Sequence, residues 1–350
     1  MSPGSQLQPA PVELEAFTAW AAEQGWADGL PMVPPTQQRV AAMVEASGYP
    51  PDAEIGAVPP RDGLATVEVL ATNAVLAGCR PGELPVLIAA VAALLDPALN
   101  LQGLQCTTNP AAPLVIVNGP VRAELGITGG GDALAGGNRA NLAIGRALQL
   151  VLRNVGGAVP PVDQSVLGSP AKRGLVLGEH EEQSPWPPLH RRRGLPDGSA
   201  VTVVAVESLV NVPAPYRDPD AILQMMALAM CNGLNLHYSS GVLLACFNPR
   251  HASILAAAGY SPDRVRAELF RRARVPVSAY PGGRNASQAE WTMGGDHVLM
   301  TDDVAKVEVM VAGASWPAHS MCFNGWAISG MASRPVAGGW PGGTARREGT

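Results

Sequence analysis

The chain has 350 residues, 47% of them hydrophobic and 15% charged, which is enough apolar material for a large core and too little charge for a disordered chain. A formal net charge of −5 and a pI near 5.7 leave no basic face, so nucleic acid is excluded as an expected partner. Aromatics make up only 5%, so the core must be mostly Ala, Val, Leu and Met. The 39 glycines and 33 prolines imply tight turns and long ordered loops.

The opening stretch MSPGSQLQPAPVELEAF has no charged leader and no apolar run, so no signal peptide is expected. No apolar run reaches the ~18 residues of a membrane helix. The five cysteines (Cys79, Cys106, Cys231, Cys246, Cys322) are widely spread, with no CxxC spacing. That argues against a zinc knuckle or dithiol centre and predicts free thiols in a cytoplasmic protein.

In chain order, residues 1–11 read as a flexible tail and 12–25 as a helix with Leu14, Phe17, Trp20 and Ala21 on one face. Thr36 reads as the N-cap of a helix over 37–46. A short strand is predicted at 54–58, a helix at 65–77 stopped by Gly78, and a second opening at Pro85 and running to Asp96. Residues 103–108 and 114–118 read as strands, the second of the buried, wholly apolar kind. A glycine-rich loop over 126–138 feeds the clearest amphipathic helix, 138–155, which Gly156-Gly157 stops. Residues 156–199 read mostly as loop. Then come a strand at 200–207, a Met-rich helix at 219–233, a strand at 242–247, helices at 249–258 and 262–274, a strand at 306–312 and another at 321–328. The stretch from Gly338 reads as disordered. No internal repeat is evident.

This pattern predicts an α/β protein of two lobes, the second on a largely parallel sheet. The expected divisions are a tail 1–11, a helix-rich lobe 12–157, a connector 158–199, a second lobe 200–337 and a tail 338–350.

Four stretches could carry chemistry. In the first, Thr128, Gly129, Gly130 and Gly131 lead through Gly136-Gly137 to Asn138, Arg139 and Asn141 at a helix start. Backbone N–H groups beside the positive end of a helix favour a phosphate or carboxylate. The loop lacks the Gly-Lys-Ser/Thr ending of a Walker A sequence, and no ribose-binding acid follows at the spacing of a dinucleotide fingerprint. Its glycines also suit positions needing φ > 0. The second stretch runs from Gly178 to His190. Glu179, His180, Glu181, Glu182 and His190 supply carboxylates and imidazoles for acid–base work or a metal, with Trp186 as an aromatic wall, and an acidic solvated loop is the alternative. No pair has diagnostic metal spacing, so no metal ligand is assigned.

The third stretch places Cys106, Thr107, Thr108 and Asn109 before the strand ending at Asn118. Polar groups at strand ends are where α/β ligand sites gather, and Cys106 is either a nucleophile or a small buried hydrophobe. The fourth follows the strand 306–312 and contains His319, the histidine best suited to an acid–base role. His237 and His251 read as structural.

Taken in order, GWADGLPMVPPT, ATVEVLATNAVLAGCRP, TTNPAAPLVIVNGP, the GGG–GGNRAN loop, EEQSPWPPLH, FNPRHASILAAAGYSPDRVR and the strand ending VAGAS resemble a poorly characterised bacterial family. Its genes often neighbour small proteins with a UGSC motif, a selenocysteine or cysteine followed by Gly-Ser-Cys. The resemblance covers nearly the whole chain except both tails. It implies a UGSC-type partner and redox or carbon–heteroatom bond chemistry. This chain has no CGSC sequence of its own, so a thiol pair would come from the partner.

The residues and the resemblance together predict an enzyme or enzyme subunit acting on a small polar, anionic metabolite, with no assigned cofactor and with a homo-oligomer as a further expectation. The Gly-rich loop, Asn138, Arg139 and Asn141 would hold the anion. Glu181, Glu182, His190 or His319 would move protons. The alternatives are a non-catalytic scaffold for a small redox protein and a metal-dependent hydrolase or lyase built on the Glu/His loop.

Overall fold

In the computed structural model the described residues are 9–214, 217–231, 241–279, 293–294, 296–326 and 329–337. The predicted tail beyond Gly338 and the readings at His237 lie outside them. Local capping sets most helices. Thr36 accepts from Arg39 N ahead of α1's successor, α2 (Gln37–Ser47), α1 being Leu14–Glu23. Thr66 accepts from Val69 N at the start of α3 (Val67–Ala77), and Gly48 and Gly78 end α2 and α3 at φ 69° and 85°. α4 (Leu84–Leu94) is apolar on nearly every side and is buried. Among the described residues no single helix is long and apolar enough to cross a membrane.

Residues 103–108 are not a strand. They belong largely to α5 (Leu101–Cys106), because Asn100, in the left-handed region at φ 48°, accepts from Gly103 N and caps a helix that buries Leu101 and Leu104. A hairpin, β1 (Glu54–Val58) with β2 (Gly63–Thr66), precedes α3. The predicted wholly apolar strand is β3 (Ala112–Asn118), buried at every position. After α6 (Val121–Leu125) comes α7 (Arg139–Asn154), the predicted amphipathic helix. The expected connector 158–199 carries sheet structure: β4 (Leu175–Gly178) lies within it, followed by α8 (Leu189–Arg192). Four residues are too short to show a period, and β4 exists through its pairing with β3.

β5 (Ala200–Pro213) is the longest strand. Beyond it lie α9 (Pro219–Met230), β6 (Leu243–Phe247), α10 (Pro249–Ala257) and α11 (Pro262–Arg272). A small three-stranded sheet follows: β7 (Arg274–Pro276), β8 (Met293–Gly294) and β9 (His297–Leu299). Last come β10 (Val307–Val311), β11 (His319–Gly325) and β12 (Met331–Pro335).

The main sheet has seven strands in the order β10-β6-β11-β5-β3-β4, with β12 also on β5. It is mixed, not largely parallel. β10/β6 and β3/β4 are parallel, whereas β6/β11, β11/β5, β5/β3 and β12/β5 are antiparallel. Both halves of the chain share it, so the expected separate second sheet is corrected. The sequence shows no internal repeat, but the strand pairing does. β3, β4 and β5 are matched by β6, β10 and β11: in each set the first strand pairs parallel with the second and antiparallel with the third. β12 takes up pairing with β5 where β11 leaves off, so β11 and β12 together match the length of β5.

The sheet curls until its two edges meet. His180 N, just past β4, donates to Val311 O at the end of β10, at 2.7 Å. Leu114 and Ile116 of β3, Leu177 of β4, Val204 and Val206 of β5, Leu244 of β6, Met310 of β10 and Phe323 of β11 share the inner core. The alternate residues of the same strands face outward into two further cores, one under α3, α4 and α7, the other under α9, α10 and α11.

Candidate functional site

β3 and β4 end side by side, with Val117 opposite Gly178. The chain leaving β4 is stitched back to β3: Glu179 N donates to Val117 O at 3.0 Å. Alternation therefore turns the Glu179 side chain inward with Leu177, where it is buried. One of its oxygens accepts from Asn118 Nδ2 at 2.6 Å and from Leu189 N at 2.7 Å. Glu181 accepts from the same Asn118 Nδ2 and from Gly119 N, each at 2.8 Å. Arg122, on α6, donates to Glu179 O at 2.7 Å and to Glu182 at 2.8 Å, and its Nε lies 3.3 Å from Glu181. Two carboxylates, those of Glu181 and Glu182, and the main-chain carbonyl of Glu179 thus meet one buried guanidinium.

These groups titrate differently. Burial pushes the Glu179 carboxyl up, against the pull of the Leu189 N–H, Arg192 and Asn118. Glu182, mostly exposed, is held down by its hydrogen bonds to Arg122. Burial pushes His190 down, against the pull of the Glu181 charge. Two buried atoms, Asn118 Oδ1 and His190 Nδ1, have no hydrogen-bond partner among the described residues. Buried polar atoms are seldom left so.

The glycine-rich loop packs on this cluster. Gly178 N donates to Thr128 O at 2.9 Å, and Gly129 O accepts from Gly313 N at 2.7 Å. A Cβ on Gly129 would stand 2.1 Å from Gly178 O, so only glycine permits the approach. His180 Nδ1 lies 3.2 Å from Gly313 O. Gly130 N donates to Thr128 Oγ1 and Gly131 faces Ala314. Gly129, Gly130 and Gly131 therefore sit where the two sheet edges and the acidic loop meet.

The other predicted loop residues do different work. Asn141 is buried and fully engaged, accepting from Thr128 N and donating to the carbonyls of Thr128, Ala133 and Val176. Asn138 donates to Asp132 O within its own loop. Arg139 pairs with Glu83, which is buried.

The remaining predicted residues are dispersed. Thr107, Thr108 and Asn109 precede β3 and so lie at the opposite end of that strand from Asn118. There Asn109 donates to both oxygens of Glu207 and Thr107 Oγ1 accepts from Asn109 N. Cys106 closes α5 at that end, half-buried. Trp186 is a core residue of the second half, edge-on to Phe247, donating through Nε1 to Tyr260 O at 3.0 Å. His319 opens β11, exposed, with Nδ1 3.2 Å from Asn211 Oδ1. Among the described residues no group of three or more His, Cys, Asp or Glu side chains is arranged to hold a metal ion.

The matching strand end in the second half is closed. Asn248 ends β6 as Asn118 ends β3; it accepts from His251 N and donates to Ala314 O. Ser320 Oγ accepts from Asn248 N and lies 2.7 Å from His251 Nδ1, while His251 Nε2 meets Ala214 O. Both ring nitrogens of His251 are thus engaged, and burial pushes its proton affinity down. Only the Asn118 end combines several carboxylates with buried polar atoms left over.

Sequence reasoning did not choose Arg122, and it did not set Glu179 apart from its neighbours in the acidic stretch. Arg122 carried a readable signal, a cation four residues past the end of a buried strand, in NGPVR. Glu179 differs from Glu181 and Glu182 only through the inward turn that β4 imposes. No family model matches the chain, and no curated protein matches it.

Proposed function

We propose that the chain is an enzyme, or the subunit of one, that moves a proton on a small polar metabolite at the shared end of β3 and β4. The observation that carries this reading is the junction of Asn118 with Glu179 and Glu181, beside the unpartnered Asn118 Oδ1 and His190 Nδ1. Burial, with the neighbouring Glu181 charge, pushes the Glu179 carboxyl up. Glu179, dry, keeps its proton longer. Glu181 is the more exposed, with its side chain 19% accessible, and is the group that reaches substrate as base or acid. Glu179, Asn118 and Arg122 position it. Gly129 and Gly313 form the wall.

With two carboxylates, Glu181 and Glu182, on one guanidinium, the cluster suits a neutral or cationic polar group. An anionic substrate was expected on the glycine-rich loop with Asn138, Arg139 and Asn141; of these the one charge, that of Arg139, is taken up by Glu83. The test is a pool of polar metabolites incubated with the protein in D2O and followed by NMR. Deuterium incorporation or conversion of one metabolite is expected, lost in Glu181→Gln. An unchanged pool, or full activity in that variant, overturns the reading.

A further inference from the structure

A second cleft opens at the other end of β3, between the end of α5, the last turns of α7 and residues 158–172. It is half open to solvent and has about 40 Å³ of cavity volume, room for a ligand of a few non-hydrogen atoms. Three of its lining side chains bring buried polar atoms with no hydrogen-bond partner among the described residues: Gln105 Oε1, Gln149 Nε2 and Arg153 Nε. Gln105 is 4% exposed, and its Nε2 donates to Pro59 O, which fixes the amide and leaves Oε1 free. Three such atoms on one small cleft signal a ligand with matching groups.

The charge fits an anion. Lys172 and Asp163, also lining the cleft, neutralise each other at 2.7 Å, and Lys172 donates to Ser165 Oγ as well. Arg153 makes no ion pair among the described residues, so the lining carries one uncompensated positive charge in a protein of net charge −5. Arg153 and Gln149 can donate to ligand oxygens. Gln105 Oε1 can only accept, so the ligand must also carry a donor. We propose that this cleft binds a small oxyanion that bears a hydroxyl, such as hydrogencarbonate or a 2-hydroxycarboxylate: its charged oxygens meet Arg153 and Gln149, and its hydroxyl donates to Gln105. The site lies at the opposite end of β3 from Glu181, so it stands or falls independently of the proton-transfer reading.

Matched probes test it on the full chain by titration calorimetry at constant pH and ionic strength. Hydrogencarbonate is set against nitrate, a planar monoanion of similar size without a hydroxyl, and glycolate against acetate. Whichever of hydrogencarbonate and glycolate binds identifies the ligand's source. Saturable binding of one of them is expected, with its hydroxyl-free match about tenfold weaker because Gln105 is then left unpaired. Arg153→Met is expected to weaken that binding about tenfold. Gln149→Met, at a half-buried position, is expected to weaken it several-fold and serves if Arg153→Met does not fold. No saturable binding by either hydroxyl-bearing probe means a cleft filled by water alone and overturns the proposal. Equal binding of both members of each matched pair, or affinity unchanged in the folded variants, overturns it as well.

Discussion

Glu179 and Glu181 share one donor, the Nδ2 of Asn118, at 2.6 and 2.8 Å. The chain turns tightly at His180 (φ −83°, ψ 67°), with Glu181 N donating to Glu179 O at 3.0 Å, and the amide at the end of the neighbouring strand meets both carboxylates there. The deeper carboxylate is dry and the outer one reaches water. Burial pushes the Glu179 carboxyl up.

The burial of Glu179 predicts a pH dependence of stability. Glu179's folded value lies above its ordinary 4.5. Below that pH both the folded and unfolded states hold the proton, and burial costs nothing. Above it the unfolded chain ionises first, so the stabilising contribution of the protonated group is lost as pH rises through the folded value. Glu179→Gln cannot ionise. Denaturation of both proteins across pH 4.5 upward should show wild type losing ground to the variant, by at most about 1.4 kcal/mol per pH unit. A wild type that gains on the variant as pH rises would mean that Asn118, the Leu189 N–H and Arg192 favour the ionised form outright.

Arg122 and Glu182 should behave unequally although they are paired. Arg122 is buried, and removing it strands Glu181 and the Glu179 carbonyl. Arg122→Met is expected to cost about 3–5 kcal/mol. Glu182 is mostly exposed, and Glu182→Gln should cost no more than about 1 kcal/mol. Urea denaturation of the two variants checks this, and similar losses would contradict the assignment of Arg122 as the buried keystone.

The sequence could show some of this and not the rest, for physical reasons. α7 was legible because its apolar face repeats over 16 residues. β3 was legible as a wholly apolar run. β4, only four residues long, is made by non-local pairing, and without it the acidic loop has no direction. The mixed sheet was hidden because alternating strands and helices do not reveal which strands run antiparallel. The internal repeat is one of topology; its residue echoes are as short as Asn118-Gly119-Pro120 and Asn248-Pro249. Arg139 illustrates the limit best. A cation in the first turn opposes the helix dipole and reads as an anion ligand. Its partner is a carboxylate 56 positions upstream, which no local pattern discloses.

That partnership makes its own prediction. Glu83 is buried and depends on Arg139 for compensation. Arg139→Met should destabilise by about 1–3 kcal/mol, below the loss of a fully buried pair because Arg139 is 39% exposed and Arg80 N also donates to Glu83, whereas Arg139→Met with Glu83→Gln should recover much of that loss. Cys79 gives a second readout. Burial and the Glu83 charge push its thiol well up, so alkylation of the folded protein at pH 8 should be slow at Cys79. An additive double variant would show that the two charges are not coupled.

The glycines of the 128–137 loop are not equivalent, and substituting them separates close packing from mere looseness. Gly129 faces the backbone: an added Cβ would lie 2.1 Å from Gly178 O and 2.7 Å from its carbonyl carbon, and neither can swing away as a side chain could. The contact also carries the Gly313 N to Gly129 O bond that helps join the two sheet edges. Gly136 meets nothing within 4 Å and has no positive φ. Gly129→Ala is therefore expected to cost about 3 kcal/mol or more, the range of backbone overpacking and lost buried hydrogen bonds. It should also disturb Glu181, because the strand end that carries the acidic loop must shift. Gly136→Ala should change stability by no more than about 0.5 kcal/mol. Thermal and chemical denaturation of both variants, with the D2O exchange assay alongside, reads the difference. Equal tolerance at the two positions would mean that the loop does not press on β4, and would remove the wall from the proposed site.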